Sequence, residues 1–242
     1  MSLPPFLHQG RTISLRRTAP VDAELLYEKM YTNPEFMHLF RLNTFHNSLS
    51  SLRASLAQKL ETPPEQTGYL EMLIIHKLYG AIGISFLADF SPIHRRAEFA
   101  VGLFDMEHRH ASYALESGLL VGDLAFNRYN IQRVYAFVYG YNYHSQKTTI
   151  AAGFALEGIA RKHIFNIVTN DFVDLHHFGM ILEDFRNNQR LARLSQRLVG
   201  RDITQPLINS TPEPIPYPSD HPDFIKSGQI LNKILFLKHY CL

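Results

Sequence analysis

Residues 97–154 constrain the fold most, because strand, turn, helix, strand and helix follow one another there without a break. Residues 97–104 form an apolar strand, Ala-Glu-Phe-Ala-Val-Gly-Leu-Phe. Residues 107–114 make a turn rich in His and Arg, and residues 115–126 are an apolar run of helix length. The density of apolar and aromatic residues at 132–138 predicts a second strand buried on both faces. Residues 145–152 read as a short helix closed by Gly153. Backbone N–H groups that open a helix beside Arg109, His108 and His110 make a seat for an anionic phosphate.

The rest of the chain fits an α/β protein with a mixed sheet. Residues 12–17 alternate as a first strand, and Pro20 with early acids starts a helix. A second helix is predicted over 48–60, opened by Asn47 or Ser48. Residues 69–76 and 81–87 read as a hairpin, and 154–167 with 172–182 as a longer one turning at 169–171. Leu191, Leu194 and Leu198 are spaced for a surface helix over 184–199. Six prolines between 205 and 222 indicate an extended linker, and 225–242 could form a short amphipathic helix. The expected organisation is one domain over 10–185 and an extension over 186–242.

Composition narrows the function. Lys and Arg total 24 against 22 Asp and Glu, a net charge of +2 that gives no support for nucleic-acid binding. The one cysteine, Cys241, forms neither an internal disulfide nor a metal pair, so the cytoplasm is the default location. No apolar run approaches the ~20 residues of a membrane span, and residues 1–6 are not a secretory signal. Neighbouring strand residues such as His176 and His177 point to opposite faces, so no metal site is expected.

Four signatures in this order resemble the GNAT acyltransferase superfamily, and within it the ribosomal-protein N-acetyltransferase-like branch, over residues 10–185. The first is Arg109-His110-Ala111-Ser112-Tyr113-Ala114, similar to the family's phosphate loop, with Ser112 in place of a glycine. The second is Glu116, the third Asn142-x-x-Ser145, and the fourth Gly153-Phe154 followed by Glu157-Gly158. The resemblance implies a mostly antiparallel, twisted sheet flanked by helices. It also implies acetyl-CoA as co-substrate and direct transfer to a primary amine on a protein N-terminus or small molecule. Arg109, His110, Ala111, Ser112, Tyr113 and Ala114 would then hold the pyrophosphate, and Asn142 the pantetheine arm. Backbone N–H groups around Val101 would polarise the thioester carbonyl.

Glu98 is the first candidate for the base, since it points opposite to Phe99, Val101 and Leu103. A salt-bridged structural acid is the competing reading. Ser145 is the candidate proton donor to the thiolate, or else the N-cap of its helix; Tyr143 is a weaker donor. Phe36, Met37, Phe40, Phe45, Tyr27 and Tyr31 are expected to divide between core and acceptor pocket. A homodimer is compatible with the sequence. The alternative to an enzyme is an inactive domain that binds CoA or a partner as a regulatory module.

Overall fold

The computed structural model describes residues 3–41, 46–109, 112–166 and 169–207, all within one compact unit, Met1–Thr211. Outside them fall Phe45, His110, Ala111, the side chain of Arg109, and the residues from 208, on which most of the expected Pro-rich linker and the expected terminal helix lie.

Among the described residues eight strands form one sheet in the order β1-β2-β3-β4-β5-β6-β8-β7. They are β1 Phe6–Gln9, β2 Ile13–Arg17, β3 Leu70–His76, β4 Gly80–Ser91, β5 Arg96–Leu103, β6 Arg133–Tyr139, β7 Ala155–Asn166 and β8 Asp171–Ile181. Every neighbouring pair is antiparallel except β5 and β6. That pair is parallel because the chain returns between them through a helix, α6, Tyr113–Asp123.

Two cores lie on opposite faces of the sheet. On one face α6 sets Leu119, Leu120 and Val121 against Leu70, Met72, Ile74, Val134 and Ala136. On the other, α1 Ala23–Leu26, α2 Pro34–Leu39 and α3 Leu49–Glu61 set Leu26, Phe36, Leu52 and Leu56 against Leu73, Ile84 and Phe86. Ser48 caps α3 by accepting from Ser51 N. A short turn of helix, α4 Pro64–Thr67, leads into β3.

Strand β6 departs from the expected burial on both faces. Val134, Ala136 and Val138 are buried, but Arg133, Tyr135, Phe137 and Tyr139 are only half-buried. The helices of the second core lie over β3 to β5, so among the described residues none of them packs on that face of β6. The expected surface helix over 184–199 is two helices, α8 Leu182–Asn187 and α9 Gln189–Leu198. Asn188 breaks them and caps α9, its Oδ1 accepting from Arg190 N and Leu191 N. Both helices join the core through Phe185 and Leu191. The compact unit Met1–Thr211 takes in these helices and β1.

Polar side chains fasten the margins to α6. Buried Glu116 accepts from Thr12 N at 2.8 Å, from Ile13 N at 3.0 Å and from the Thr12 hydroxyl. Buried Asp123 accepts from His8 Nε2 at 2.6 Å, from Asn127 Nδ2 at 2.6 Å and from Arg201.

Candidate active site

β5 and β6 pair at only three positions, Arg96↔Arg133, Ala97↔Val134 and Glu98↔Tyr135. Beyond Glu98 each strand keeps its outer neighbour and leaves its inner one. β5 stays on β4 as far as Leu103, and β6 stays on β8 as far as Tyr139. The two strands thus form a fork, and alternate backbone N–H and C=O groups of 99–103 face the gap with no partner among the described residues.

The fork opens into a cavity of about 390 Å³ that passes through the sheet. On the α6 face its wall is Ala114, Leu115, Gly118, Phe154 and the helix α7, Tyr143–Ala151, through Ser145, Thr148 and Thr149. Between the strands it is bounded by Phe99 to Leu103 and Ala136 to Tyr139. On the opposite face it meets Phe36, Leu39, Phe40 and Arg41. Gly102 lets this wall close, since a Cβ there would lie 2.8 Å from both the Phe36 and the Phe40 ring.

The α6 mouth is suited to anions. The first-turn N–H groups of an 11-residue helix have no partner within that helix, and its dipole adds positive potential. Ser112 stands at the N-cap position, but its side chain makes no cap bond, so the hydroxyl stays available. Ala114 lines the cavity, whereas the Tyr113 ring turns away to His76 at 4.6 Å between centroids. A single helical turn, α5 Met106–Arg109, precedes the seat. Arg95 and Arg96, at the other end of β5, are engaged by Asn130 and Asp89.

Asn142, not Ser145, caps α7, and the helix starts earlier than expected. Asn142 Oδ1 accepts from Ser145 N at 3.1 Å, and Nδ2 donates to Leu39 O at 3.3 Å. Its polar atoms thus tie α7 to the end of α2 while it lines the cavity. Ser145 is left with a hydroxyl that also lines the cavity and bonds to no protein group among the described residues. Tyr143 is 68% exposed and lies off the wall.

Glu98 is the last paired residue of the fork and is buried. It accepts from Arg41, which lines the cavity and lies 5.2 Å from the centre of the Phe137 ring. Glu98 therefore sits just behind the wall. Tyr135, its partner across the fork, donates to Asp89 at 2.6 Å. Burial, then that hydrogen bond, push the Tyr135 phenol far above its ordinary range, so it stays protonated at neutral pH. Of the expected acceptor-pocket residues, Phe36 and Phe40 line the cavity, while Tyr27 and Tyr31 pack into the second core. Arg41, Leu39, Phe137 and Tyr139 went unnoticed in the sequence.

The sequence profile of the acetyltransferase (GNAT) domain matches residues 12–155, well over half of the chain. The chain belongs to the GNAT acetyltransferase family. Among solved structures, this member is similar to a T. thermophilus protein whose acetyltransferase activity is itself an assignment. They share 23% identity and a TM-score of 0.63, covering 81% of this chain and 99% of that one. It is also similar to a Vibrio cholerae spermidine N-acetyltransferase solved with CoA and spermine. There the identity is 18% and the TM-score 0.62, covering 73% of this chain and 99% of that one. At these identities the likeness is one of fold. Comparison with curated proteins finds no match. Among the described residues no helix is long and apolar enough to cross a membrane, and no group of His, Cys, Asp and Glu is arranged to hold a metal ion.

Proposed function

We propose that this GNAT protein transfers an acetyl group from acetyl-CoA to a primary amine. The observation that carries the reading is the cavity running through the forked sheet, with the α6 N-terminus at one mouth and an aromatic wall at the other. A slot edged by unpaired backbone groups and lined by apolar side chains fits an extended amide chain such as the pantetheine arm. The anionic pyrophosphate suits the α6 end, through the N–H groups of 112–114 and, in this reading, Arg109, His110 and Ala111. When bound, acetyl-CoA supplies the activated acetyl thioester.

The chain's own residues then divide the work. N–H groups around Val101 polarise the carbonyl. Ser145 holds a proton for the departing sulfur. Glu98 draws the amine proton through an ordered water, from behind Arg41. Asn142 fixes the α7 side of the slot. The signature spacing supports the ribosomal-protein branch, in which the amine is a protein N-terminus; the cavity itself admits small amines as well.

Calorimetry with CoA, then thiol release from acetyl-CoA across an amine panel, tests the proposal. Absence of CoA binding refutes it. CoA binding with no turnover on any amine makes the protein a binding module instead. Glu98→Gln should lower kcat by roughly 10²-fold with CoA affinity retained. Unchanged turnover would remove Glu98 from the chemistry.

A further inference from the structure

The two mouths of the cavity differ in their linings. At the α2 end the wall is Phe36, Leu39, Phe40, Phe137 and Tyr139, with Arg41 its one charged group among the described residues. No Asp or Glu lines the cavity among those residues either. Residues 42–45, which follow Arg41, contain no acid in their sequence. The carboxylates around the closed end of the fork are each engaged by an arginine. Glu98 is held by Arg41, Asp89 by Arg96 as well as Tyr135, and Glu157 by Arg133.

This distribution discriminates between kinds of amine. The nitrogen that attacks must be uncharged at that moment, so it needs no counter-ion in the wall. Any second or third ammonium on the same molecule does need one. Here it would give up water against apolar rings and meet no free carboxylate, since the nearest one, Glu98, is already bound to Arg41. A planar or branched apolar body, by contrast, gains from the same wall. We infer that the acceptor is a monoamine carried on an apolar body of aromatic size, and not a polyamine. The inference rests on the acetyl-transfer reading above. The transfer joins the amine nitrogen to the acetyl carbon, breaks the C–S bond and moves one amine proton to the thiolate. No other reactant is needed.

Three probes test this: 2-phenylethylamine, a short peptide with an N-terminal Phe, and spermidine. CoA affinity is measured first, so that failure of the transfer reading is seen separately. Each amine is then titrated calorimetrically into the CoA-loaded protein, and its kcat/KM is measured with acetyl-CoA. At least one apolar monoamine should bind more tightly than spermidine and exceed its kcat/KM by about 30-fold or more. The faster of the two identifies the source, free amine or peptide. With CoA bound, a spermidine kcat/KM within a few-fold of the best monoamine, or above it, overturns the inference and leaves the transfer reading standing. Leu39 lines this mouth and is 37% exposed, so the wall accepts a longer polar side chain there. Leu39→Glu should raise spermidine relative to 2-phenylethylamine by about tenfold or more. An unchanged ratio would count equally against the inference.

Discussion

Glu116 offers the sharpest test of what joins the sheet to its crossover helix. Its carboxylate accepts from two backbone N–H groups, Thr12 and Ile13, and from the Thr12 hydroxyl. Glu116→Ala orphans two largely buried N–H donors at roughly 1–3 kcal/mol each. It also leaves a void where the side chain stood, adding about 1 kcal/mol. The expected loss is roughly 3–7 kcal/mol, or a Tm fall of roughly 6–28 °C for a chain of this size. Glu116→Gln keeps an oxygen for the two N–H groups but gives up the charge and turns an amide NH2 to the Thr12 hydroxyl, so it should cost about 1–2 kcal/mol. Urea denaturation at unchanged m-value measures both. A Glu116→Ala protein within about 1 kcal/mol of wild type would refute the reasoning. So would normal stability coupled to lost CoA affinity, which would make Glu116 a ligand contact and not a clasp.

Asp123 predicts a pH effect. Burial opposes its ionisation, but hydrogen bonds from His8 and Asn127 and the Arg201 charge outweigh that, so its carboxyl lies below the ordinary value. Its stabilisation is complete above the unfolded value of ~4 and is lost as pH falls through the lower folded value. Asp123→Asn should therefore be less stable than wild type at neutral pH, and calorimetric melts should show the gap narrowing below about pH 4. Ser145→Ala should lower kcat by roughly 10–100-fold with an unchanged Tm, because the cap of α7 belongs to Asn142; a matching loss of stability would assign the serine to structure. Gly102→Ala should cost about 1–3 kcal/mol in denaturation and raise the KM for the acceptor, since the new methyl group meets the Phe36 and Phe40 rings.

What the sequence disclosed was local. The hairpin of β3 and β4 follows from two β-rich runs either side of 77–80, α3 from its Ser48 cap, and the β7–β8 hairpin from turn residues at 169–171. The helix start at α7 was misplaced because Asn142 and Ser145 are both good caps, and only the folded loop decides which oxygen reaches which N–H. Strand β1, four residues long, has no periodicity to read. The fork was invisible for a different reason. Where β6 stops pairing with β5 depends on strands far apart in the chain, not on any pattern inside 133–139. Arg41 and Glu98 stand 57 positions apart, and nothing local to either residue announces their pairing.

The fork also places an unfinished sheet edge in the interior. Proteins usually blunt such edges with charge or proline, or cover them, because an open edge recruits foreign strands. Residues 99–103 of β5 carry neither a charged side chain nor a proline. An extended amide arm lying along them would complete the missing strand and close the edge to strangers. Occupancy of the slot would then act as a colloidal safeguard, and the ligand-free protein would be the form most prone to self-association through its own sheet.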